Sequence, residues 1–419
     1  MKLGDVINEA AASNGKPLDG IKVLAIEQMQ ALPFATQMLA RLGATVVKVE
    51  HPQGGDLGRL SLPAMTDPDG RLVGATFLRN NLSKRSLCID LKTVAGRDLI
   101  MRLAPGFDVI AENLKGGSLA AMHLGYEDIR AVNPRAIYLS ISGFGNSVDS
   151  LYRGWPAYAA VAEAMSGLYD WKQAPGRPPT VGPVGALGDI GTSLFGVIGI
   201  LAALRHRDTT GVGQYVDVAM LDSMVAFADV VVNYWSMHER PPAGEGVSMI
   251  MDGFQAGPGW FVISASRESD FAKLAVLVGC AHWLDDPRLA TPAGWRKHIE
   301  VIRAGVNAWA APLTNVEACS ALAAAGVAAG PCLSAQQVID DPHVAARSML
   351  VEVPRFDGVE GPVIVPSNPI KMSAVAHGPE SRVPWLGEHT DLVLREELGM
   401  DDIDLATLRD AGVIGGGPT

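Results

Sequence analysis

The chain has 419 residues, of which 48% are apolar and 19% charged, and its net charge is −11. That balance excludes a nucleic-acid partner held by a general basic field. The 46 glycines and 27 prolines lack a collagen-like period, so a fibrous chain is excluded too, and the length leaves room for two to four domains at roughly 100–200 residues each.

Cys88, Cys280, Cys319 and Cys332 form no CxxC pair and share no spacing with histidines, so neither a zinc site nor a disulfide framework is expected. No metal is expected elsewhere. The N-terminus has no apolar h-region. The longest apolar run, Leu194 to Leu204, is well short of the ~20 residues that cross a bilayer. A soluble, cytoplasmic chain with no membrane contact is therefore expected.

From Ile21, IKVLAI reads as a buried strand. Pro33 opens a helical segment that stops at Gly43, and TVVKVE follows as a second strand ending at Glu50. Strand, helix and strand make a βαβ unit and hence a parallel sheet. The alternation recurs: strand 86–91, helix 95–103, strand 108–111, a short helix 126–132 and strand 136–144. This pattern predicts an α/β fold with an open, Rossmann-like parallel sheet.

Residues 145–188 are rich in Gly and Pro and read as loops around a site. From Asp189 the pattern predicts helix, then a turn at TTGVGQ, then a second helix through VDVAMLDSMVAF. RPPAGEGVS (239–247) reads as a linker, and the strand 260–265 with amphipathic helices after it as a smaller α+β domain. The last stretch returns to strands and closes with helices.

The loop after the first strand, EQMQALP, lacks a GxGxxG fingerprint, which disfavours a nicotinamide or flavin enzyme. Glu50 ends the second strand where an acidic residue would meet a ribose hydroxyl. Asp189 follows Gly188 at the start of a helix. It reads as an N-cap whose side chain accepts the Thr192 N–H. The dipole there favours the charged carboxylate, against a free pKa of about 3.9. His123, His206 and His377 are scattered and read as surface residues.

Several blocks, in order, carry a resemblance. GIKVLAIEQMQALPFATQMLARLGATVVKVEHPQGGDLGR, NLSKRSLCIDLKTVAGRDLIMRL, FDVIAENLKGG with ISGFG, and GALGDIGTSLFGVIGILAALRHRDTTGVGQYVDVAMLDS are the longest. AGVAAGPCLSAQQVIDDPH and LGEHTDLVLREELG continue the series toward residue 414. Together they resemble the family III CoA-transferases, the group of formyl-CoA and carnitine CoA-transferases, which also includes α-methylacyl-CoA racemases.

The resemblance implies an acyl-CoA:carboxylate CoA-transferase, with coenzyme A, an acyl-CoA and a small carboxylic acid as ligands. It implies Asp189 as the nucleophile, which would form an aspartyl anhydride and then an aspartyl–CoA thioester. Gln30 would lie beside the thioester. Glu50, His51, Lys84, Arg85, Asn113 and Lys115 would bind CoA, the two cations meeting its phosphates. It further implies an interlocked homodimer with a large discontinuous domain (1–225 and 345–419) and a small α+β domain with its linker (226–344). A racemase needs an acid and a base on opposite faces of the α-carbon. The His–Asp pair of the racemases falls here on Tyr158 and Ala159, which leaves the racemase as the alternative. Many transferases carry Asp and Gln where this chain has Ala159 and Glu163. Leu32 and Ala121 replace a usual Gly and Arg. These departures keep a third reading open, a CoA-ester binder without catalysis.

Overall fold

The computed structural model describes residues 1–147, 149, 151–152, 154–169, 178–179, 181–182, 186–237 and 249–416. The predicted linker 239–247 and most of the loop 172–185 lie outside the described residues. The chain folds as two units, Met1–Leu168 with Val181–Asp229 and His343–Thr419, and Tyr169–Thr180 with Val230–Pro342.

The first unit opens with β1 (Lys22–Ile26), α1 (Ala31–Arg41) and β2 (Thr45–Glu50). It continues through β3 (Arg85–Ile89), α2 (Val94–Leu103), β4 (Val109–Glu112), α3 (Tyr126–Val132) and β5 (Ile137–Ser142). Then come α4 (Ala159–Met165), α5 (Leu187–Thr210), β6 (Tyr215–Ala219) and α6 (Met220–Phe227).

β6 corrects the sequence reading, which continued a helix through VDVA. Val216 and Val218 alternate with Asp217, a period of two, and the segment pairs with β5 as a parallel strand. The helix before it begins at Leu187, so Asp189 stands in its first turn and is not its cap; the cap is Ala186, with no side-chain hydrogen bond.

The second unit holds β7 (Ile250–Ala256), β8 (Gly259–Ala265), α7 (Glu268–Leu277), α8 (Ile299–Ala310), α9 (Asn315–Ala324) and β9 (Ala328–Pro331). Its antiparallel sheet has the order β9-β8-β7. The core under it includes Phe254, Phe261 and Trp295, and Phe271 stacks on Trp295 at 4.6 Å between centroids.

The chain then returns to the first unit as a hairpin of β10 (Leu350–Val353) and β11 (Val363–Pro366). α10 (Thr390–Leu398), α11 (Asp402–Asp410) and β12 (Ile414–Gly415) follow. The large sheet has the order β12-β3-β2-β1-β4-β5-β6. Only its edge strand β12 is antiparallel, to β3.

Both faces of this sheet are buried, as a parallel sheet requires. Val23, Ala25, Val109 and Leu139 meet α1 and α5 on one face. Leu24, Val47, Ile110 and Tyr138 meet α2, α3 and α10 on the other. Helix α5 is long and apolar enough to span a bilayer, with mean hydropathy 1.8, but half of that window is buried inside the unit. A core helix has this pattern. The histidine reading needs one correction: His377 is buried, with Ser367 Oγ 2.8 Å from Nε2 and Lys371 Nζ 3.0 Å from Nδ1.

Candidate functional site

The order of the strands reverses between β1 and β4, and in an open α/β sheet the crevice at such a point, beyond the carboxyl ends, takes ligands. The loop after β1 is held rigidly there. Asn113, just past β4, accepts the Gln28 N–H at 2.9 Å and donates to the Gln28 carbonyl at 3.0 Å. Asp56 accepts the Met29 N–H at 2.8 Å and ion-pairs Lys48 at 2.7 Å. Met29 sits at φ 62, a left-handed conformation that a side-chain-bearing residue adopts only when its surroundings impose it. The next residue, Gln30, precedes the first turn of α1, and its Nε2 is buried without a hydrogen-bond partner. A buried donor left unmatched costs free energy, and a ligand carbonyl would satisfy it.

Two cavities open along this edge. One, ≈ 180 Å³, is lined by Ile26, Gln28, Val49, Glu50, His51, Asp90, Lys92 and Leu114 among others. The second, ≈ 250 Å³, is lined by residues including Asn113, Leu114, Lys115, Gly143, Trp155 and Tyr158. Leu114 belongs to both, so the expected residues His51, Asn113 and Lys115 stand along one groove edge. His51 Nε2 lies 3.6 Å from Asp90.

Glu50, Lys84 and Arg85 are placed otherwise than the sequence suggested. Glu50 lies at the cavity wall, but both its oxygens are taken. Arg59 binds them at 2.7 Å each, and Ser86 Oγ and the Asp56 N–H add bonds at 2.7 and 3.0 Å. Burial opposes its charge, yet Arg59, Lys48 and Ser86 together outweigh burial and hold the carboxyl at about 2. It has no acceptor left for a ribose hydroxyl. Lys84 is sealed from solvent, with Nζ bound to Glu27 at 2.7 Å and to Asn81 and the Pro33 carbonyl at 2.9 Å. Arg85 is the first residue of β3, whereas the cavity meets its last, Ile89, and its guanidinium pairs with Glu396 at 2.7 Å. The cation past the carboxyl end of β3 is Lys92, which sequence reasoning missed; its place just after a strand of a parallel sheet was the available signal.

Glu112, also missed, ends β4 beside Ser140 and Asp217 on neighbouring strands. Burial pushes its carboxyl up to about 7, although Ser140 Oγ and the Leu114 N–H (2.8 Å) bond to it.

Asp189 is anchored through its backbone. Ser193 Oγ lies 2.7 Å from its carbonyl oxygen and also bonds the Ala31 carbonyl, which joins the first turn of α5 to the residue after Gln30. The glycines around it serve helix packing rather than approach of a ligand. A Cβ on Gly188 would lie 2.9 Å from the Ala159 Cα, and one on Gly191 2.7 Å from the Phe227 ring. The carboxyl environment is the reverse of the dipole expectation. Burial first, and the Glu163 carboxylate second, push Asp189 up to about 6. At pH 7 most of it is still ionised, now in an environment that solvates the charge poorly and so leaves it more reactive.

An α/β chain with cavities at the reversal point of its sheet, and an ionisable carboxylate in the first turn of a helix tied through Ser193 to the residue after an orphaned amide, has the layout of a ligand-binding site. Comparison with known proteins makes the class definite. Residues 18–390 match CoA-transferase family III, and the chain belongs to that family. The succinyl-CoA:mesaconate CoA-transferase of Haloarcula marismortui is 36% identical, across 92% of this chain and 97% of the relative. The formyl-CoA:oxalate CoA-transferase of Streptomyces avermitilis is 34% identical, across 95% and 100%. A CAIB/BAIF family protein of Brucella suis has a solved structure that matches with TM-score 0.79 at 33% identity, across 91% of this chain and 99% of that one. The protein is accordingly a family III CoA-transferase, an enzyme acting on CoA thioesters.

Proposed function

We propose that the protein moves coenzyme A from an acyl-CoA donor to a carboxylic acid acceptor by covalent catalysis at Asp189. An Asp189 oxygen attacks the thioester carbonyl, the C–S bond breaks, and an acyl–aspartyl anhydride and CoA thiolate result. The thiolate attacks the aspartyl carbonyl and releases the donor acid, leaving an aspartyl–CoA thioester. The acceptor carboxylate displaces the thiolate, and the thiolate then takes the acceptor's acyl group and restores the Asp189 carboxylate. Each step exchanges a thioester for an anhydride or the reverse, so no base is required to activate the nucleophile.

The observation that carries this reading is the partly buried Asp189 carboxyl in a helix turn whose backbone Ser193 ties to Ala31, the residue after the unmatched Gln30 amide. Hydroxylamine added with acyl-CoA should convert Asp189 to a hydroxamate, visible by mass spectrometry of the peptide. An unmodified Asp189 in a turning-over enzyme would remove the mechanism. Succinyl-CoA and formyl-CoA are the first donors to try, and mesaconate and oxalate the first acceptors, since the relatives are named for them.

CoA binding is proposed along the two cavities, with His51, Asn113 and Lys115 on its path and Lys92 added. Lys115→Ala should weaken CoA about five- to tenfold by calorimetry, the loss of one charged contact, while Arg85→Ala should stay within about twofold of the native protein. A large loss in Arg85→Ala would return that residue to the site.

The strand order supports the Rossmann-like description of the large sheet. A homodimer, interlocked as in the family, is supported by the apolar residues that α5 leaves exposed, Leu194, Ile198 and Leu201. A cytoplasmic location goes with that reading. Tyr158 and Ala159 lack the acid–base character a racemase needs, which keeps the transferase reading first.

A further inference from the structure

Helix α4 packs closely on the start of α5, where a Cβ on Gly188 would lie 2.9 Å from the Ala159 Cα. Ala159 brings no charge there. One helical turn on, Glu163 does: its side chain is 1% exposed, and its Oε1 accepts the Gly188 N–H at 3.0 Å. That N–H is among the first of α5, which have no partner within the helix. A carboxylate that should stabilise a helix N-terminus therefore stands beside a second one, Asp189, in the same turn.

We propose that Glu163 is the positioning residue of this site: its carboxylate clamps the first turn of α5 through Gly188 and confronts Asp189 with a like charge. The inference rests on Asp189 being the reacting group. The clamp fixes where the turn points. The like charge makes the ionised Asp189 less comfortable in the free enzyme, a discomfort relieved when its oxygen becomes part of a neutral anhydride.

Among the described residues, the other elements packed on α5 offer no competing charge at this end. α1 carries Arg41, which is held by Glu380 at 3.1 Å. α6 carries Asp222. β5 carries Tyr138, whose hydroxyl donates to the Leu124 carbonyl at 3.1 Å. β6 carries Tyr215 and Asp217, the latter accepting the N–H groups of Asn146 and Ser147 at 2.8 and 2.7 Å. The remaining charges of α5, Arg205, His206, Arg207 and Asp208, lie in its last turns, with Arg207 paired to Asp108 at 2.9 Å. Of all these groups, Glu163 is the one that acts on Asp189.

Two variants of the full-length protein separate clamp from charge. Glu163→Gln keeps an oxygen acceptor for Gly188 and removes the charge; Glu163→Ala removes both. The Asp189 carboxyl is followed by carbon-13 NMR, assigned by its disappearance in Asp189→Asn, and its midpoint should fall by about one pH unit in Glu163→Gln. The acidic limb of the rate profile should move down with it, because the rate is lost as pH falls through the Asp189 midpoint. Glu163→Ala should also lower the plateau rate about tenfold below Glu163→Gln, through misplacement of the turn. An unmoved midpoint in Glu163→Gln overturns the charge, and equal plateau rates in the two variants overturn the clamp. The NMR midpoint does not depend on turnover. An active Asp189→Asn would therefore remove the nucleophile reading while the midpoint still judged Glu163.

Discussion

Asp189→Asn should lower the rate of CoA transfer by about 10⁴-fold or more while making the protein more stable at neutral pH. The loss follows from chemistry: an amide cannot form the anhydride, and removal of a covalent nucleophile is among the costliest single changes an enzyme can undergo. The gain follows from burial. The folded protein holds the Asp189 carboxyl at about 6 against an ordinary 3.8, so ionising it in the folded state costs more than in the unfolded chain. A rise of this kind amounts to about 2–3 kcal/mol at most, since each pKa unit is ~1.4 kcal/mol. The cost is absent below the unfolded value, grows as pH rises through the interval, and is complete above about 6. Asparagine escapes it. The variant's advantage should thus be full at pH 7–8 and vanish near pH 3.8. Steady-state assays and denaturant titrations at several pH values check both halves. A fully active Asp189→Asn would end the nucleophile assignment, and a variant less stable than native at pH 8 would end the burial argument. Such opposition between stability and activity is expected where a site holds a charge under strain.

The βαβ alternation was legible because buried parallel strands are continuous apolar runs and their helices carry a 3.6 period. The start of α5 was less so. Asp189 looks like a cap, whereas the helix begins at Leu187, with Gly188 packed on Ala159. β6 is brief and runs directly into α6, so its two-residue period was hidden in a longer apolar stretch. Charges were the least legible feature. Lys84 and Arg85 read as a pair of cations for phosphates, yet Lys84 is folded inward onto Glu27, far away in sequence. Glu50 reads as a free strand end until Arg59 is seen across it. The Asp189 environment depends on Glu163, whose nearness is a product of tertiary folding that no local pattern encodes. Asp189 is proposed as the nucleophile on the strength of the resemblance, and its proton affinity runs opposite to the dipole expectation because burial and Glu163 act on it as well.

Lys48→Met should be the most destabilising single change in the first unit. Lys48 is fully buried, with its ammonium 2.7 Å from Asp56 and 3.4 Å from Glu27. Lys84 completes the cluster on Glu27, and Arg59 neutralises Glu50 at its edge. Positive and negative groups balance, and methionine would leave a carboxylate uncompensated in the interior, at a cost of about 3–5 kcal/mol. Burial opposes the Lys48 charge, but Asp56, Glu27 and Glu50 together raise its pKa above the ordinary lysine value, so the protein gains from this cation at every pH below that value. Lys84 differs. Burial pulls it down to about 8, and Glu27 offsets only part of that, so Lys84→Met should cost clearly less than Lys48→Met. The double variant Lys48→Met with Asp56→Asn removes the stranded charge and should recover more than half of the loss. Hydrogen exchange of the β1 and β2 amides reads the unit directly. The loss in Lys48→Met should also shrink as pH falls toward the ordinary carboxyl range of about 4, where the stranded acid takes up a proton. Equal costs for the two lysines, or no recovery in the double variant, would mean that packing around Phe77, which Lys48 and Arg59 both cover, outweighs the charges. The loop bearing Met29 and Gln30 depends on the same Asp56, so Lys48→Met should weaken CoA binding as well. The cluster is in this sense the foundation of the groove.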